Sequence, residues 1–155
     1  MEYKGTPVLE DQALWDEVQR AREEEKALAA KLIWSENTQA TPEEAAMMID
    51  AARNRARAKG KPFQEILNEP KQFSGFDPES PRYQEVMAFG PGHPNYESIQ
   101  RLVELAYNPK RKPTKTTHYY ANERMGGPPH WAPALTDVQT QGAHTFGREQ
   151  GYPKK

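Results

Sequence analysis

Residues 29–55, AAKLIWSENTQATPEEAAMMIDAARNR, decide how the rest of the chain is read. They spell the end of one helix, a short polar break, and a second helix that opens at once. Thr41-Pro42-Glu43-Glu44 is the start signal: Thr41 caps, Pro42 suits the first helical position, and Glu44 completes a capping box. The spacing predicts a helix that buries Ala45, Met48, Ile49 and Ala52 and reaches Ala56. Asp50 falls at the edge of that stripe, and Gly60 supplies the left-handed residue that ends the helix after Lys59. The break holds a single acid, Glu36, directly after Leu32-Ile33-Trp34. A carboxyl group beside an indole and aliphatic side chains loses hydration, which raises its pKa. Such an acid keeps its proton near neutral pH and can donate it, so Glu36 is the candidate catalytic acid. The plain alternative is a helix-terminal surface glutamate, one acid among 22.

Outward from this stretch, residues 1–9 read as an arm, residues 10–150 as one domain, and residues 151–155 as a mobile tail. Leu14, Val18, Ala21, Leu28, Leu32 and Ile33 recur at intervals suited to one helical face, interrupted by the charge run 22–26. After residue 60 the chain is rich in its 14 prolines and 10 glycines, which argues for long irregular connections. Residues 62–67 read as one or two short helical turns, and Gln72-Phe73-Ser74-Gly75-Phe76 as a loop with two aromatic rings. Residues 83–89 are a weak helix stopped by Gly90-Pro91-Gly92. Asn95 caps a stronger one with Ile99, Leu102, Val103 and Ala106 inward. Residues 116–120 and 144–146 read as extended, being β-branched and aromatic. The expected fold is therefore mainly helical α+β, a single domain with a small β or loop region.

Composition closes off several functions. There is no cysteine, so no disulfide framework and no zinc–thiolate site. His93, His118, His130 and His144 lack metal-ligand spacing, so no metal and no cofactor is expected. Nothing at the start reads as a signal peptide, and no run approaches the roughly 20 apolar residues of a membrane helix. The net charge of −1 hides an acidic first quarter and a basic last third. Lys110-Arg111-Lys112 with Lys115, ahead of Tyr119 and Tyr120, offers an alternative reading as a nucleic-acid surface. Slight net acidity and the lack of a groove-reading motif weigh against it.

Aromatic rings stack on the C–H faces of sugars, and Tyr, Asn, Gln and His bond their hydroxyls. Phe73, Phe76, Tyr119, Tyr120, Trp131 and Phe146 include candidates for a glycan groove, although core packing explains such rings equally well. One of Tyr119 and Tyr120 must face away from the other in an extended segment.

The chain resembles the cell-wall hydrolase family of the spore cortex-lytic enzymes. That family's pattern runs from L-A-R-x-I-x-x-E-A through a capped helix to L-N-R. Leu32-Ile33-Trp34-Ser35-Glu36 stands at its first part, and Asn54-Arg55 at its second. The likeness resumes at Phe63, Ile66, Gln72-Phe73-Ser74, residues 117–122, His130-Trp131 and residues 142–146. It departs where the family carries a second glutamate four positions after the first: here that position is Ala40, preceded by Gln39. Asp50 and Arg53 also replace small or apolar helix positions. The resemblance implies a lysozyme-like, lytic-transglycosylase-like domain that cleaves the MurNAc–GlcNAc bond of peptidoglycan. Glu36 would be the single acid and base. Gln72, Phe73, Tyr119, Tyr120, Asn122, Trp131 and His144 would hold the glycan strand, with Asn54 as structural support. An inactive structural descendant is the alternative that the Ala40 departure leaves open. With no signal peptide in the sequence, a phage lysin is the expected setting. It would be made in the host cytoplasm and released to the wall, or carried in the particle beside other virion proteins, with no membrane and no nucleic-acid partner.

Overall fold

A computed structural model of the chain describes residues 8–69 and 73–152. Most of the expected arm, Gln72 and the end of the expected tail lie outside the described residues. The first helix, α1, is continuous over Val8–Glu36. Its C-terminal part is core: Ala29, Ala30, Leu32, Ile33 and Trp34 are buried. Its first half departs from the periodic reading, since Leu14, Trp15 and Val18 are exposed. Periodicity marks a face, but burial requires an element to cover it. Further along the helix, Tyr107 Oη–H donates to Glu25 and Lys26 donates to Glu104, tying α1 to the later segment 104–107.

The second helix, α2 (Pro42–Lys59), is the centre of the molecule. Thr41 Oγ1 accepts the Glu44 amide at 3.1 Å, and a Glu44 oxygen accepts the Thr41 amide at 3.4 Å, closing the expected capping box. Gly60, at φ +63°, ends the helix and donates its amide to the Ala56 and Arg57 carbonyls. Burial goes well beyond one stripe, taking in Ala45, Ala46, Met47, Met48, Ile49, Asp50, Ala51 and Ala52. Small residues let neighbours approach from several sides, and α1, α3 (Phe63–Leu67) and α5 (Tyr96–Ala106) all pack on it. Asp50, expected at the edge, is buried and fully engaged. Arg111 donates to both its oxygens at 2.9 and 2.6 Å, and Thr114 adds its amide and hydroxyl.

The remaining helical pieces clamp the end of α1. In α4 (Tyr83–Ala88) and just after it, the Met87 and Phe89 carbonyls accept the Lys31 ammonium at 2.6 and 2.7 Å. Burial lowers the pKa of that lysine. The 3₁₀ turn Ser74–Phe76 meets α1 so closely that a Cβ on Gly75 would fall on the Ser35 side chain. Asn95 precedes α5, yet its side chain makes no cap bond; its amide is donated to His93 Nδ1 instead.

Three antiparallel strands complete the α+β fold: β1 (His118–Ala121), β2 (Leu135–Gln141) and β3 (His144–Glu149), in the order β1-β3-β2. Strand β3 is central, and its fully buried Phe146 joins the helical core. Strand β2 carries no hydrophobic alternation beyond Leu135, and a register break between Thr136 and Gln139 bends it, so no strand pattern marks it. The sheet is tied to α2 by side chains. Asn54 Nδ2 donates to the Thr114 and Thr116 carbonyls, and Arg55 Nε to the Thr117 carbonyl at 2.6 Å. Among the described residues no helix is long and apolar enough to cross a membrane.

Two substitutions should separate a cap from a buried charge. Thr41→Ala should cost about 1 kcal/mol in denaturant titration. Arg111→Ala, which leaves Asp50 buried without its cation, should cost about 3 kcal/mol.

Candidate active site

Glu36 is the last residue of α1, so its side chain projects from the helix end while its backbone is still fixed by the helix. It enters a cleft of about 170 Å³ between the helix end and the sheet. Opposite it stand Tyr119, Tyr120 and Ala121 from β1 and His144 from the start of β3. Phe73 and Ser74 form one wall, and Arg55 of α2 reaches the floor. Five of the residues singled out in the sequence therefore meet here: Glu36, Phe73, Tyr119, Tyr120 and His144.

The Glu36 side chain is 18% exposed, enough to meet a ligand and too little to keep full hydration. Burial pushes its pKa up to about 7, while the Arg82 guanidinium pulls weakly the other way. The cause is the one expected, but the neighbours are not. Trp34 takes another side of α1, where it stacks on Phe89 with ring centres 5.0 Å apart and meets His93 edge-on. The groups that enclose the Glu36 carboxyl come from residues far along the chain. Arg82 is held beside the helix end by its bond to the Ser35 carbonyl at 3.0 Å.

Alternation along β1 splits the two tyrosines. Tyr119 faces inward against Phe73, His144 and Phe146, and its hydroxyl is buried with no hydrogen-bond partner among the described residues. Burial, reinforced by nearby Glu36, raises the pKa of that phenol, so it stays a neutral donor. Tyr120 turns to Trp131 at 5.9 Å between ring centres. Trp131 itself packs on His118 behind Tyr120 and is not among the residues lining the cleft.

Asn122 is likewise outside the lining. Its amide nitrogen donates to the Gly142 carbonyl and its oxygen accepts Thr145 Oγ1 at 2.6 Å, so it pins the β2–β3 turn. Asn54 braces the approach to β1 from α2.

Glu44 is the residue that sequence reasoning assigned to helix capping alone. It has no exposed surface, yet His144 Nδ1 lies 2.6 Å from its Oε2, and Nε2 of the same ring lies 3.9 Å from Glu36. Position 40, where the resemblance expects a second glutamate, is a partly buried alanine. The site's second carboxylate comes from four residues later. The signal that could have found it is Gly142, two residues before His144. At φ +60° it opens the two-residue turn, and a Cβ there would strike the Glu44 carboxylate. Arg55 was quoted only as part of the pattern. It is buried in the cleft floor with its guanidinium over the Phe73 ring, and burial lowers its pKa.

A larger hollow of about 410 Å³ lies elsewhere, between the start of α2, the end of α5 and the loop before β1. Its one arginine is already paired to Asp50. Among the described residues no group of three His, Asp or Glu side chains is placed to hold a metal ion. No protein-family model matches the chain, and no curated protein or solved structure matches it significantly.

The raised pKa of Glu36 makes stability depend on pH with a definite sign. The folded state binds this proton more tightly, so the contribution is full below 4.5 and is lost as pH rises through about 7. The difference corresponds to about 3 kcal/mol. Denaturant midpoints from pH 4 to 8 should therefore show wild type losing stability relative to Glu36→Gln across that window.

Proposed function

We propose that this protein cleaves the glycan strand of peptidoglycan at the MurNAc–GlcNAc bond, as a lysozyme-like domain acting by the lytic-transglycosylase route. The observation that carries the reading is a partly exposed glutamic acid with a pKa of about 7, facing tyrosine rings and an imidazole across a cleft. At neutral pH a large fraction of Glu36 is protonated, as a general acid must be. It donates that proton to the glycosidic oxygen as the bond to C1 breaks. The resulting carboxylate then takes the proton of the muramoyl 6-hydroxyl as that oxygen bonds to C1, which closes the 1,6-anhydro ring and restores the acid.

A hydrolase using two carboxylates needs a second one that faces the sugar, at about 5–9.5 Å from the first. Glu44 cannot serve, because it is sealed from solvent and its oxygens already accept several donors. This favours the single-acid route. The Tyr119 ring lines the cleft beside Glu36, which suits stacking on a sugar face. The nucleic-acid alternative is weakened, since Arg111 is committed to Asp50 rather than turned to solvent.

Zymography on purified peptidoglycan should clear with wild type, and Glu36→Gln should lower the rate at least about 100-fold. Mass spectrometry should find 1,6-anhydro ends in the products. The rate should fall as pH rises through about 7, where Glu36 loses its proton. Intact peptidoglycan after long incubation with folded wild type would overturn the assignment.

A further inference from the structure

Behind Glu36 the hydrogen bonds run inward to a second acid. Glu44 accepts the Asn37 side-chain amide at 3.0 and 3.1 Å, the Ala143 backbone amide at 3.1 Å and the Thr41 amide at 3.4 Å. All are N–H donors, so the Glu44 oxygens act as acceptors, as an ionised carboxylate does. The contact of 2.6 Å with His144 then requires the ring to supply the hydrogen from Nδ1. In the neutral ring that leaves Nε2 as a lone pair, 3.9 Å from Glu36 Oε2. At this separation the contact is electrostatic rather than a hydrogen bond. Its sign still matters: a lone pair turned to Glu36 favours the protonated acid, whereas an N–H there would favour the carboxylate.

The arrangement is built by several segments. Asn37 follows Glu36 directly, Thr41 and Glu44 belong to the cap of α2, and Ala143 and His144 belong to the β2–β3 turn. Gly142 lets that turn approach, since a side chain at this position would occupy the space of the carboxylate. Tyr119 and Phe146 wall the ring from the sheet side, with edge-on and tilted contacts.

We infer that Glu44 is a positioning residue for Glu36, fixing His144 as the Nδ1–H tautomer so that its Nε2 lone pair faces the acid. The inference rests on the reading of Glu36 as the acid of the site. The titratable and charged groups facing Glu36 are His144 from β3, Tyr119 and Tyr120 from β1, Arg55 from α2 and Arg82, the residue just before α4. Tyr119 is neutral, and the two arginines keep their charge in every variant below. The tautomer of His144 is the feature that Glu44 controls.

The experiment is NMR on the full chain without substrate, so it stands apart from any test of cleavage. Ring ¹⁵N shifts report which nitrogen of His144 carries the hydrogen, and carboxyl ¹³C shifts follow Glu36 through pH. In wild type the hydrogen of the neutral ring should sit on Nδ1, with Glu36 titrating near 7. In Glu44→Gln the side-chain amide can donate to Nδ1, which moves the hydrogen to Nε2. The Glu36 midpoint should then fall by at least about half a pH unit. His144→Gln, whose amide can donate to Glu36, should lower the midpoint likewise. A wild-type ring protonated at Nε2, or a midpoint that is unchanged or raised in the folded His144→Gln variant, would overturn the proposal. The wild-type tautomer and His144→Gln decide it even if Glu44→Gln does not fold. A wild-type Glu36 that titrates near 4.5 would instead remove the reading of Glu36 as the acid, whatever the tautomer.

Discussion

The fold depends on one buried carboxylate. Glu44 closes the N-terminus of α2, accepts the side chain that follows α1, and receives an amide and an imidazole from the β2–β3 turn. A charge with no exposed surface is tolerated only when its oxygens are met by donors, and here the donors come from three separate parts of the chain. The helix junction and the hairpin are thereby held in one relative position. Every other feature of the cleft, from the tyrosines of β1 to the floor at Arg55, is referred to that junction.

The consequence at Glu36 is a balance between environments. Enclosure between Phe73, Tyr119 and His144 penalises its charge, while Arg82, tethered to the Ser35 carbonyl and stacked over Trp34, partly relieves the penalty. Burial dominates. The result is an acid poised near neutrality at the end of a rigid helix, which is the condition that proton transfer to a leaving group requires. Hydrophobic burial supplies the rigidity, since Leu32 and Ile33 are sealed one turn earlier and Lys31 is latched to the end of α4 and the residue after it.

Much of this was legible because it is local. The cap and end of α2 follow from Thr41, Pro42, Glu44 and Gly60, whose effects act within a few residues. The burial of Glu36 was expected from the apolar run before it. The groups that supply it, Phe73, Tyr119 and His144, come from far along the chain, and Trp34 faces Phe89 instead. What escaped was long-range or unpatterned. Glu44 satisfied a local rule so well that its contact 100 residues away, marked in the sequence by Gly142 alone, was passed over. Leu14 and Val18 have helical spacing but no described element over them, and hydrophobic period alone cannot supply a partner. Strand β2 is mostly polar and exposed, so neither alternation nor propensity marks it.

That outer strand has a use of its own. A sheet of three strands presents two open rims, and an open rim invites pairing with another chain. On one rim β1 is short, and side chains of α2 occupy the carbonyls of the segment leading into it. On the other, Asp137 adopts φ +54° where the ladder skips, with Arg148 bound to its carboxylate. The kink and the charge deny a straight template to any intruding strand, which guards the sheet against edge-to-edge aggregation.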